Sequence, residues 1–141
     1  MTTLQELLRT GRVEQVPADA AAAEDRVDAC LQHLKSAAVL ADTDPAMAYA
    51  ALYDAARKAL TAHMLAQGLR VTNRPGAHEA VGIYGSTELI DPSGSVARFQ
   101  AMRLARNRSE YQDRPVGRQE VANDLRHATA IVEAVRVSLA I

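Results

Sequence analysis

Cysteine is almost missing from this sequence, tryptophan is missing altogether, and phenylalanine occurs once. The single thiol, Cys30, rules out an internal disulfide framework and any Cys-rich zinc site, which points to a reducing compartment. No apolar run approaches the ~20 residues of a membrane span. The N-terminus shows neither the basic n-region nor the apolar h-region of a secretory leader. The expectation is a soluble cytoplasmic protein that does not engage a membrane. Net charge is also nearly absent, at −1, while 48% of residues are hydrophobic, a balance that excludes an intrinsically disordered chain.

What the sequence does have is alanine, about a fifth of its 141 residues, against 4% aromatics and few β-branched side chains. That composition favours helix over sheet. The length suits a single domain, which at this size buries roughly 68–70% of the surface of its unfolded chain. One helical domain is therefore expected over residues 1–141.

Helix punctuation is plain along the chain. Thr3 to Thr10 reads as a short helix ended by Gly11, with Arg12 to Pro17 as a connector. A second helix is expected from Ala18 to Ala41, with Val27, Leu31, Leu34, Ala38 and Ala41 on one face. Thr43-Asp44-Pro45 gives a cap followed by proline at the first helical position, opening a third helix that runs to Gln67 and stops at Gly68. Its inner side carries Tyr49, Leu52, Tyr53, Ala56, Leu60 and Met64. Residues 69–75 read as a loop, and Gly76 to Leu89 as a helix loosened by Gly82 and Gly85. Ser95 is positioned to cap a fifth helix reaching Gln112. The last helix, Gly117 to Leu139, repeats Val121, Leu125, Ala128, Val132, Val135 and Leu139, which leaves Asp124, Arg126, Glu133 and Arg136 on the other faces. The expected architecture is an all-α antiparallel bundle of four to five helices, with a short N-terminal helix at 3–10 and the bundle spanning 18–140.

Charge is unevenly placed along that bundle. Residues 1–97 hold eight basic and twelve acidic side chains, whereas 98–141 hold eight and five. Within 98–118, six arginines (98, 103, 106, 108, 114 and 118) face only Glu110 and Asp113. Two readings stand. One is a solvated helix surface; the other is an anion site, because guanidinium groups grip phosphate bidentately. Metal chemistry finds no support: His78-Glu79 lacks a second histidine at helical spacing, and no glutamate has a histidine three residues on. The four histidines (33, 63, 78 and 127) fall on separate predicted helices and read as structural or surface residues, and Cys30 as a packing residue.

The densest polar cluster is on the fifth helix, where Arg103, Arg106 and Glu110 share a face and Asn107 and Tyr111 are four apart. Arg106 and Glu110 suit an i,i+4 ion pair, and either that intramolecular network or a recessed phosphate site accounts for the cluster. Arg106-Asn107-x-x-Glu110-Tyr111 resembles a variant of the HEPN signature, an arginine and a histidine separated by four to six residues. The helix Tyr49–Leu65, the stretch Gly76-Ala77-His78-Glu79-Ala80 and the closing helix also resemble HEPN proteins, so that the likeness spans about residues 19–140.

The resemblance implies a HEPN-like bundle that forms a homodimer, with two motif helices across a cleft. It implies binding of RNA or a nucleotide, in the active branch a metal-independent endoribonuclease of toxin–antitoxin type, with a nucleotidyltransferase-type antitoxin as partner and no cofactor. Carried onto this chain, Arg106 would hold the scissile phosphate with Arg103 and Arg108 beside it. Asn107 would orient neighbouring groups, Glu110 would match the acidic residue of motif variants, and Tyr111 would stand where the family has histidine. Tyrosine for histidine bears on catalysis, since an imidazole near 6.5 exchanges protons at neutral pH and a phenol near 10 does not. General acid–base help is worth about 10²–10⁴-fold. Five residues also subtend about 140° on a helix, placing Arg106 and Tyr111 on different faces unless a dimer or a distorted helix end brings them together. Three readings stand on the sequence: an RNA-cleaving or RNA-binding dimer, a catalytically silent HEPN-type module, and an unrelated bundle with a charged surface.

Overall fold

The computed structural model describes residues 2–141. Helix α1 (Thr3–Arg9) opens on a capping box in which Thr2 and Gln5 exchange hydrogen bonds of 2.7 and 3.1 Å. A short strand β1 (Val13–Gln15) leads to α2 (Ala20–Leu40), whose N-terminus is capped by Asp19. Helix α3 (Pro45–Ala66) begins with Asp44 as cap and Pro45 where its missing N–H costs nothing. Strand β2 (Leu69–Val71), α4 (Ala77–Glu88), a 3-10 turn (Ser95–Arg98), α5 (Phe99–Tyr111) and α6 (Arg118–Leu139) complete the order.

The all-α expectation holds, with one small addition. The expected connector and loop each contain a three-residue strand, and β1 pairs antiparallel with β2, Glu14 opposite Arg70. Gly68, at φ +77°, makes the pairing reachable. A Cβ there would fall 2.9 Å from the Val16 carbonyl oxygen, so only glycine lets α3 turn directly into β2.

Helix α3 is the axis of the molecule. Half of its 22 residues are buried, many of them alanines that let neighbouring helices approach closely. Helices α2 and α3 form an antiparallel hairpin through the turn at 41–44. The pair α3 and α6 departs from the expected antiparallel arrangement. Tyr49 meets Asp124 and His63 meets Ser138, fourteen residues further along both helices, so the two run parallel. The intervening α4 and α5 make the return crossing.

Several expected faces are rotated. In α2 the buried positions are Ala23, Val27, Cys30 and Ala37, while Leu31 and Leu34 are half-buried and Ala38 is exposed. In α6 the inner line is Val121, Asp124, Ala128, Ile131 and Val135, with Val132 beside it, and Leu125 and Leu139 only half-buried. Asp124, expected on an outer face, is 2% exposed. Ser95 does not cap the turn it opens. Asp91 does so instead, accepting from the Val96 N–H at 2.8 Å, while the Ser95 hydroxyl meets Ser93 and His127.

Two apolar clusters result. The larger joins α2, α3, α5 and α6; the smaller gathers Leu7, Val13, Met64, Leu69, Ala80 and Tyr84 around the strand pair. Helix α4 fits closely against α3 because Gly85 faces it: a Cβ there would lie 2.9 Å from a Leu60 methyl.

Candidate functional site

Helix α5 is fastened to the core by Phe99, Met102 and Ala105, three apart along one face. The Phe99 ring stacks on Tyr53 at 5.4 Å and 19°. Everything else on the helix is displayed: Leu104 and Tyr111 are exposed, and Arg103, Arg106, Asn107 and Arg108 are half-buried. The helix ends at Gln112, where the Arg108 carbonyl accepts from the N–H groups of both Gln112 and Arg114. Asp113 then turns the chain in the left-handed region, at φ +50°.

The arginines of this segment divide into two groups. Arg106 pairs with Glu110 at 2.9 Å, as the i,i+4 spacing anticipates, and Arg98 forks onto Asp124 with Nη2 at 3.0 and 3.1 Å from the two carboxylate oxygens. Arg103 reaches only the Gln100 side-chain carbonyl, at 3.2 Å. Among the described residues, Arg103, Arg108, Arg114 and Arg118 have no acidic partner. Four cations are thus left without acidic partners along the segment 103–118, and one of them, Arg108, lies in the last turn of α5 beside its negative pole.

The structure brings Arg106, Glu110 and Tyr111 together. The guanidinium carbon of Arg106 lies 6.0 Å from the Tyr111 ring centroid, at the outer reach of a cation–π contact. The expected divergence of these two side chains is therefore overcome within one chain, since Tyr111 is the last helical residue and the arginine stem is long. The Nε of Arg106 is buried without a hydrogen-bond partner, so this guanidinium is only partly satisfied. Asn107 makes no side-chain hydrogen bond among the described residues. Burial raises the Tyr53 phenol beneath the cluster, against the opposing pull of Arg57, Arg103 and Arg106.

Among the described residues, no histidine side chain bonds to a residue of α5. His33 on α2 contacts Lys58 at 2.7 Å. His63 on α3 lies between the Tyr84 hydroxyl at 2.8 Å and the Ser138 hydroxyl at 3.0 Å. His127 on α6 meets Ser95 at 2.9 Å, and His78 is exposed on α4. The arrangement at α5 can hold an anion, but it offers no imidazole to move a proton.

Sequence reasoning missed the most deeply buried polar group. Asp124 accepts from the Tyr49 hydroxyl at 2.7 Å, from Arg98 and from the Asn123 amide at 3.2 Å. Burial, and then the Asp124 carboxylate, push the Tyr49 phenol far above its ordinary value, so it remains a donor. Its signal was present, because Val121, Asp124, Ala128, Ile131 and Val135 are spaced 3, 4, 3, 4 and place a carboxylate on a core line. No group of three or more potential metal ligands occurs among the described residues. No family model, curated protein or solved structure matches the chain.

Proposed function

We propose that this chain is a HEPN-type helical protein that works as a homodimer and holds the phosphate backbone of RNA against α5 without cutting it. The observation that carries this reading is the set of four arginines without acidic partners among the described residues, two on α5, one in the loop that follows and one opening α6. Guanidinium groups in that state are suited to phosphate. Silence as a nuclease follows from the neighbours of Arg106. Glu110 offsets its charge, and Tyr111 replaces an imidazole with a phenol. Leu104 and Tyr111, seven residues apart and exposed on α5, supply the apolar contact for a second copy.

Binding of a fluorescent mixed-sequence RNA, followed by anisotropy over a salt series, tests the reading. Each phosphate contact should contribute about −0.7 to the slope of log K against log salt for single strands. Arg103→Gln and Arg108→Gln should each flatten that slope by about one contact. Cleavage should be absent in wild type and gained in Tyr111→His. Cleavage by wild type in chelator that Arg106→Ala abolishes would establish an active nuclease instead. Absence of both binding and cleavage in both proteins overturns the proposal, and a monomer by light scattering at high concentration overturns the dimer.

A further inference from the structure

A cavity of about 910 Å³ lies away from α5, between the N-terminal half of α2, the C-terminal half of α3 and strand β2. Its size falls in the range of small-molecule sites. Four cations come to it from three elements: Arg26 on α2, Arg57 and Lys58 on α3, and Arg70 on β2. Asp19 and Asp25 also line it and set two carboxylates against these cations; Asp19 caps α2, where Oδ1 accepts from the Ala22 N–H at 2.9 Å. Arg70 is paired with Glu14, and Arg57 has a long contact of 3.5 Å with Asp54. Arg26 and Lys58 have no acidic partner among the described residues.

Lys58 is held in a specific way. An ammonium carries three donors and no acceptor, so its 2.7 Å contact with His33 Nε2 requires a neutral imidazole that accepts. That assigns the His33 proton to Nδ1 and leaves two Lys58 N–H groups free for the cavity. Both burial and the Lys58 charge hold His33 below its ordinary value, which keeps it in the accepting form. Lys58, Arg26 and Arg57 also oppose, without overcoming, the effect of burial that raises the nearby Cys30 thiol. Apart from Thr61 the remaining walls are apolar, with Val16 and Pro17 from the chain before α2 and Ala29 and Leu65 along the helices.

We infer that this cleft binds a small phosphate monoester, with Lys58 and Arg26 gripping the phosphate and Arg57 beside it, and with the Val16–Leu65 side covering an apolar body. The site is distinct from α5 and does not rest on the RNA reading.

Titration calorimetry with phenyl phosphate and with inorganic phosphate tests it on the full chain. Phenyl phosphate should bind more tightly than inorganic phosphate. Lys58→Met and Arg26→Gln, both at partly exposed positions, should each weaken it about tenfold or more, the worth of one charge-assisted hydrogen bond. In NMR titrations the bound anion should raise the His33 pKa, while Arg103→Gln with Arg108→Gln should leave binding unchanged. Failure of phenyl phosphate to bind at millimolar concentration overturns the inference. So does binding that survives both cleft variants, or binding that the α5 variants abolish.

Discussion

Replacing Asp124 tests the most heavily committed polar group in the fold. Its carboxylate is 2% exposed and receives Tyr49, Arg98 and Asn123. Tyr49 is fully buried, and Asp124 is its side-chain partner. In Asp124→Ala the orphaned hydroxyl costs about 1–3 kcal/mol, and the small void adds roughly 1 kcal/mol. Arg98 adds little, because its side chain is 43% exposed and regains water. The expected loss is ~2–4 kcal/mol, a large part of the ~5–15 kcal/mol that holds a domain together. At this chain length that lowers Tm by roughly 6–15 °C. Tyr49→Phe supplies the decisive control. In wild type it removes one hydrogen bond and should cost ~0.5–1.5 kcal/mol. In the Asp124→Ala background it removes an unsatisfied hydroxyl and should stabilise. Urea unfolding of the four proteins closes the cycle. Equal costs for Tyr49→Phe in both backgrounds, or a loss under ~1 kcal/mol for Asp124→Ala, would refute the reasoning.

Three further outcomes are expected. Gly85→Ala gains ~1 kcal/mol of helix propensity but drives a methyl into Leu60 and Val96, at 2.9 and 3.1 Å, for a cost of about 1–3 kcal/mol. Thermal melts should show a small net loss, and Gly85→Val a much larger one. His63 is held below its ordinary value by burial, so the native state binds fewer protons than the unfolded chain. Its contribution is complete above about pH 6.5 and is lost as pH falls through the lower folded value. Urea midpoints at pH 7.5, 6 and 5 should therefore decline, and His63→Gln should decline less. Cys30 is inaccessible and its thiol is pushed up to about 11, so native protein should react with a disulfide reagent at neutral pH only as fast as it opens. Rapid labelling in the folded state would contradict that.

Helices with strong punctuation were legible from the residues. Asp44-Pro45 and Gly68 bracket α3, and the Arg106–Glu110 pair follows from its spacing. The strand pair was not, because three residues show no period and the partners stand 56 positions apart at Glu14 and Arg70. In α2 an alanine-rich stretch gives little contrast between faces, which explains why Ala38 reads as inner when Ala37 is. The parallel course of α3 and α6 is a property of the intervening crossing and leaves no local trace. Of the candidate site, the cluster at Arg106, Glu110 and Tyr111 is contiguous in the chain and therefore readable. The Arg98–Asp124 pair and the Lys58–His33 contact join separate helices, so neither could be read from neighbouring positions.

The smaller apolar cluster has a consequence for how the molecule opens. Its contacts from α1 and β1 are made to α3, α4 and β2, and they involve six buried residues, against the much larger group in the main core. Residues 2–17 are thus expected to open as a unit of low intrinsic stability while the α2–α3–α6 body stays folded. Such an excursion would uncover Tyr84 and His63 and leave β2 with an unpaired edge. Amide protons of Val13–Gln15 should then exchange well before those of α3, by a route that never passes through the unfolded chain.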